Sequence, residues 1–347
     1  MKIIGCDYHP SFQQIAMLDL GTGEYVELRL LHAGGEAQRF YEGLSGRVRV
    51  GIESSGNMLW FERLLQKLGH ELWLGDAGVI RAKAPRKQKT DVRDARHLLQ
   101  LLRENNFPRI WVPSVAERDL RQLLKHRHTL VEMRTRVKNQ LQHIALNQGL
   151  QKKQKLWTRA GQELLRGLEL DRWTAQRRDD LLHLLEYLEK QIAALDQAVK
   201  AEAEQRPEVR LLMTHPGVGP VVGLATVLTL GEVGRFPRGR EVAAYVGLIP
   251  SEDSSGQRRQ LGAITKQGSS FLRFLLVQAA ASAVKGDAEW ARAYQRLAHK
   301  KHHGVAKVAI ARKLVVRLYW MLRTQTRYAG GGSHVGQPES SCSAVPG

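Results

Sequence analysis

Lys2-Ile3-Ile4-Gly5-Cys6-Asp7 is a short apolar run that stops on a carboxylate. It reads as a buried strand whose end carries the acid. Working outward, residues 13–19 and 25–31 are two further β-rich runs, with Gly21-Thr22-Gly23 as the turn between them. Arg47-Val48-Arg49-Val50-Gly51-Ile52 alternates polar and apolar residues, as a half-buried strand does, and Glu53 closes it in the way Asp7 closes the first. Helical spacing runs over 58–68 through Leu59, Leu64, Leu65 and Leu68, and 71–75 reads as another strand.

Three strands of antiparallel type, a strand, a helix, a strand and a helix predict an α/β sheet domain of the ribonuclease-H type over residues 1–112. No Gly-rich phosphate loop follows the first strand, which argues against a doubly wound nucleotide-binding fold. From Pro113 the character changes. Residues 115–147 and 178–203 read as long helices, so 113–205 is expected to be a helical or coiled-coil spacer. The second helix places Leu181, Leu185, Leu188, Ile192, Leu195 and Val199 at steps of 4, 3, 4, 3 and 4, which is heptad spacing. That stripe fits a helix packed on its own domain and equally a coiled coil between subunits. Residues 206–327 form a third, mainly helical region, and 328–347 is a Gly/Ser/Pro-rich stretch expected to be a disordered tail.

The 347 residues carry 53 Lys and Arg against 34 Asp and Glu, a formal net charge of +19. A surplus of this size points to a polyanion, since every neutralised phosphate releases counterions. Nucleic acid is the expected partner. No helix pairs a basic face with a strongly aromatic apolar one, so a membrane surface is the weaker competitor. The first long helix holds Arg118, Arg121, Lys125, Arg127, Arg134, Arg136 and Lys138, read here as a phosphate-contacting face against the plainer alternative of a solvated one. The two cysteines, Cys6 and Cys342, are too few for a metal cluster and suit a reducing compartment. With no signal peptide or membrane-length apolar run, the expectation is a soluble cytoplasmic protein associated with the nucleoid.

The acids carry the chemistry. Asp7 and Glu53 end apolar strands, while Asp91 and Asp94 open a helix that Thr90 is placed to cap. Singly, each has a plain explanation: Asp91 and Asp94 suit a helix dipole, and Glu53 has Arg49 nearby in sequence. As a set, four carboxylates brought together without a cation would repel one another, and a divalent ion such as Mg2+, with Mn2+ as substitute, removes that cost. Two such ions clamp the attacking and leaving oxygens of a phosphodiester, with Lys87 and Lys89 beside them to steer its backbone. His9 reads as a loop or substrate-proximal residue rather than a ligand. In the third region, Gly217 and Gly219 flank Val218 in a loop that resembles a helix-hairpin-helix turn, where glycines let backbone N–H groups approach phosphate, against the more frequent alternative of a plain helix–helix connection. Ser254-Ser255-Gly256 lies in a polar loop, and from chemistry alone either serine is first of all a turn residue. Lys266 and Arg273 follow as cations suited to a charged transition state.

These residues resemble the insertion-sequence 110 family of DEDD transposases over nearly the whole chain. Ile4-Gly5-Cys6-Asp7, Ile52-Glu53 and Thr90-Asp91-Val92-Arg93-Asp94-Ala95 look like its RuvC-like domain. Pro216-Gly217-Val218-Gly219-Pro220, Ala244-Tyr245-Val246-Gly247-Leu248-Ile249-Pro250, Ser255-Gly256 and Lys266-Gln267-Gly268 through Leu272-Arg273 look like its second transposase domain. The resemblance implies that Asp7, Glu53, Asp91 and Asp94 hold the metal and that Ser255 is a nucleophile forming a phosphoserine link to DNA. It also implies a dimer or tetramer with a composite active site, double-stranded donor and target DNA, and a structured guide RNA. The alternative is a junction-resolving endonuclease that uses the same acids and water.

Overall fold

The computed structural model describes residues 1–54, 56–84, 90–151, 155–253 and 260–330. The chain divides into two compact units, Met1–Val112 and Pro113–Gly347.

In the first unit, β1 (Lys2–Tyr8), β2 (Phe12–Asp19), β3 (Tyr25–Leu31), α1 (Glu36–Glu42), β4 (Val48–Glu53), α2 (Leu59–Lys67), β5 (Glu71–Gly75), α3 (Ala77–Ala82) and α4 (Asp91–Arg103) follow in order. The sheet order is β3-β2-β1-β4-β5. β1 pairs antiparallel with β2 and parallel with β4, and β4 pairs parallel with β5. β1 is central and covered on both faces, which is why its sequence is a continuous apolar run. Ile4, Cys6, Val50 and Ile52 face a core with Tyr41 of α1 and Phe61 and Leu65 of α2. Ile3 and Ala16 face the opposite core, built from Ala95, Leu98, Leu99 and Leu102 of α4. The α1 and α3 helices were not expected from the sequence; each spans fewer than two turns, too few for an apolar spacing to repeat.

The second unit is mostly helical: α5 (Val115–Asn147), α6 (Arg159–Arg166), α7 (Arg172–Gln205), α8 (Pro207–Leu212), α9 (Pro220–Leu230), α10 (Gly239–Tyr245), the β6–β7 hairpin (Pro250–Glu252, Leu261–Ile264), α11 (Ser270–Gly286), α12 (Ala288–Ala298) and α13 (His303–Thr324). Ser114 starts α5 with a capping box shared with Glu117. α5 and α7 form an antiparallel pair, tied by Arg127–Asp196 and Lys138–Glu189, both at 2.8 Å, and by Arg177 donating to Gln140 at 3.0 Å. The heptad stripe is used here, inside one chain: Leu181, Leu185 and Leu188 are buried in a core with Val137, Leu141 and Ile144 of α5. Leu124, Val199 and Ala203, from the expected spacer, share a core with residues of α9, α11 and α13, so spacer and third region pack as one unit. Tyr328, at the start of the expected tail, is anchored: its backbone N–H donates to Thr214 Oγ1 at 3.0 Å and its hydroxyl to Asp287 Oδ2 at 2.9 Å. Among the described residues no helix is long and apolar enough to cross a membrane.

Candidate metal centre

The centre is assembled by one close approach. A Cβ on Gly5 would stand 2.3 Å from both Ala95 O and Leu99 N, so only glycine lets the backbone of α4 lie directly on β1. Alternation along β1 puts Gly5 and Asp7 on the same face, the face α4 covers. The N-terminus of α4 is set by Thr90, whose Oγ1 accepts from Arg93 N. Arg96 then pins α4 to β3 through Glu27, with Nη2 2.8 Å from Oε2, and this guanidinium holds the Glu27 carboxyl down to about 2.

Asp91 thereby meets Asp7, with His9 between them. One ligand atom from each of Asp7, His9 and Asp91 lies within 4.8 Å of the other two. His9 Nε2 is 3.1 Å from Asp7 Oδ2 and 3.6 Å from Asp91 Oδ1. The Asp7 carboxyl is raised above its ordinary value. Burial is the largest cause; the hydrogen bond and charge of His9 pull the other way, and the charges of Asp94 and Asp91 add to the rise. The half-buried acid is thus in a place where a cation would relieve both desolvation and repulsion, and its donor set of carboxylate oxygens and an imidazole fits a divalent ion.

The other expected residues divide. Asp94 stands close enough to act on Asp7 electrostatically. Glu53 ends β4 one position beyond the Cys6–Ile52 register pair, beside the end of β1, but it is exposed and outside the three-residue group. Arg49 pairs with Glu71 at 2.8 Å, not with Glu53. Lys87, Lys89, Ser254, Ser255 and Gly256 lie outside the described residues. Neither the role of Gly5 nor the placement of His9 between the two acids is expected from the sequence. A glycine inside an apolar strand and a histidine two positions after the acid, on its face, were the available signals.

In the second unit several expected phosphate contacts are engaged in structure. Arg121 donates to Leu228 O, and burial lowers its pKa. Arg273 donates to Val246 O at 3.1 Å and also to Gln267 O, tying the loop after α10 to the loop before α11. Gly217 has φ +85°, and a Cβ there would meet Ala279 O of α11 at 2.5 Å, so its missing side chain serves packing. Gly219 has open space, and Lys125 and Lys266 are exposed. Asp253 N donates to Gln260 O at 2.9 Å, closing the hairpin that carries the stretch with Ser255.

Fold and centre together define a class: a mixed α/β unit that brings Asp7 of β1 against Asp91 of α4, followed by a mostly helical unit. Residues 14–148 match the family model for DEDD transposases of the IS110 type, described as "Transposase". Residues 209–296 match the model described as "Transposase IS116/IS110/IS902 family". The chain is 27% identical over 292 residues to the "Probable family 20 transposase" of Pseudomonas aeruginosa, covering 81% of this chain and 86% of that protein. It is 26% identical over 262 residues to the "Transposase for insertion sequence element IS1111A" of Coxiella burnetii, covering 71% and 70%. It is 25% identical over 290 residues to the "Transposase for insertion sequence element IS1328" of Yersinia enterocolitica, covering 80% and 84%. The chain belongs to the IS110 family of DEDD transposases, enzymes that act on DNA in transposition.

Proposed function

We propose that the protein excises and inserts a mobile element by metal-dependent cleavage and exchange of DNA strands, with Ser255 as nucleophile. The observation that carries the metal half is the convergence of Asp7, at the end of β1, with Asp91, at the start of α4. The strand order β3-β2-β1-β4-β5, antiparallel then parallel, supports a RuvC-like reading of residues 1–112. Asp7 and Asp91, joined by Glu53 and Asp94, would hold the divalent ion, magnesium or manganese. When bound, it neutralises the scissile phosphate and stabilises the charge that develops there.

The chain's own groups do the rest. Asp7 and Asp91 present their oxygens side by side at the end of β1, so that a cation held there would draw in the phosphate that the acids alone would repel. Ser255 Oγ gives its proton to solvent water and forms a bond to phosphorus. The bond from phosphorus to one deoxyribose oxygen breaks, and that oxygen leaves with the bonding pair and takes up a proton. Attack by a deoxyribose hydroxyl of the partner strand on the phosphoserine restores a phosphodiester and frees the serine. Exposed Lys125 and Lys266 are suited to the DNA backbone, and open Gly219 suits a phosphate-facing hairpin loop. Since the heptad stripe is covered by α5, a dimer or tetramer would use the outer side of α7, where Trp173, Leu184 and Tyr187 are exposed. A structured guide RNA and both donor and target DNA are the polyanions that the net charge of +19 would serve.

The deciding experiment is Ser255→Ala alongside Asp7→Asn. Ser255→Ala is expected to abolish covalent protein–DNA adducts and recombination while DNA binding persists. Asp7→Asn is expected to abolish cleavage of either kind. A Ser255→Ala protein that still cuts DNA, with water, is a nuclease and ends the serine assignment. RNA that co-purifies with the protein, once sequenced, tests the guide: its absence removes the RNA-guided part.

A further inference from the structure

His9 does not behave as a surface turn residue. Its imidazole stacks on the Phe12 ring, with centroids 4.5 Å apart and planes at 17°. The Arg29 guanidinium lies over the same Phe12 ring, 3.9 Å from its centroid. The His9 backbone N–H donates to Phe12 O at 3.0 Å, closing the β1–β2 turn. Ring and backbone are both held, and the held orientation presents Nε2 to Asp7 and Asp91 together. Neighbouring donors on an octahedral ion with bonds of about 2.1 Å stand about 3.0 Å apart. The separations of 3.1 and 3.6 Å from Nε2 to the two carboxylate oxygens are close to that spacing. The two carboxylates place ligand oxygens within 4.8 Å of each other, which brings all three donors within reach of one ion.

We propose that His9 is itself a metal ligand through Nε2, forming with Asp7 and Asp91 a mixed nitrogen and oxygen site that favours Mn2+ over Mg2+. The proposal rests on the reading of these acids as a metal centre. Its chemical basis is the donor set. Mg2+ is a hard ion that prefers oxygen and keeps its water, whereas imidazole suits first-row transition ions. A site of carboxylates alone would discriminate less between the two ions. The competing role for His9 is to orient Asp7 by a hydrogen bond without touching the ion.

Pulsed electron paramagnetic resonance separates the two. The full chain, without a histidine tag, is loaded with Mn2+ below one equivalent. Loss of the free-ion Mn2+ signal reports binding, and electron spin-echo modulation from nitrogen-14 reports a directly bound imidazole. The wild type is expected to show the modulation and His9→Ala to lack it, with Mn2+ affinity lower by at least about tenfold. In His9→Asp, binding is expected without nitrogen modulation, and Mg2+ should compete with Mn2+ better than in the wild type. Bound Mn2+ with no nitrogen modulation in the wild type overturns the His9 assignment and leaves the metal centre standing. So does modulation that persists in His9→Ala. A free-ion signal unchanged by the wild-type protein overturns the metal centre as well.

Discussion

Gly5 lacks a side chain because a helix backbone stands where one would be. In Gly5→Ala the new methyl would overlap Ala95 O and Leu99 N, both at 2.3 Å, and neither is a flexible side-chain end. Overpacking of this kind costs about 1–3 kcal/mol, so the variant is expected to melt at a lower temperature in a thermal scan. It should also bind Mn2+ more weakly, because α4 carries Asp91 away from Asp7 as it lifts; unchanged Mn2+ affinity would refute this coupling. His215 supplies a second prediction at this scale. It is buried against Trp290 and Tyr328, with ring centroids 5.1 and 4.3 Å away, and its pKa is lowered from 6.5 to about 4, chiefly by burial. Below pH 6.5 the unfolded chain takes up a proton that the folded chain refuses. Stability present at neutral pH is therefore lost as pH falls from 6.5 to about 4, by on the order of 3 kcal/mol at most. Denaturant midpoints at pH 7 and pH 5 should differ more for the wild type than for His215→Phe; equal differences would exclude His215 as the source.

At the scale of the element, α4 is the part whose placement makes the centre. Thr90 begins it, and the next residue, Asp91, is a candidate ligand, so cap and site are adjacent in sequence. Thr90→Ala is expected to destabilise the first turn by about 1 kcal/mol. Hydrogen exchange of the α4 amides should quicken in the first turn and not in the sheet, and uniform quickening would mean global unfolding instead. The Glu27–Arg96 pair that pins α4 is solvent-facing, and such pairs add little stability, so its contribution is to orientation. The α5–α7 pair makes a different point. Its heptad stripe was legible residue by residue, yet a stripe has no address: an apolar face needs burial, and only the packed chain says that Val137, Leu141 and Ile144 of α5 supply it.

At the scale of the whole molecule, charge governs. With a net charge of +19, DNA affinity is expected to fall linearly in log K against log salt, with a slope of about −0.9 for each phosphate neutralised. Filter binding or anisotropy across a salt series measures it, and a flat series would rule out a backbone-dominated interface. Lys125→Ala should make that slope shallower by about one contact, whereas Arg121→Ala should act first on stability, since Arg121 is tied to Leu228 O.

The strands, the acids that end them and the first long helix were readable from the sequence, with bounds close to those observed: 25–31 and 71–75 are matched by β3 and β5, and 115–147 by α5. Periodicity and capping are local properties, encoded within a few residues of where they act. Residues 250–252 and 261–264 were not read as strands, because each run is too short for alternation to register. Which acids meet was a tertiary decision. Asp7 and Asp91 are joined because α4 folds back onto β1 at Gly5, and His9 joins them because Phe12 holds its ring. The same holds for cations whose donors face backbone carbonyls, as at Arg121 and Arg273. A side chain's chemistry is written at its own position, but its neighbours are set by packing between segments distant in the chain.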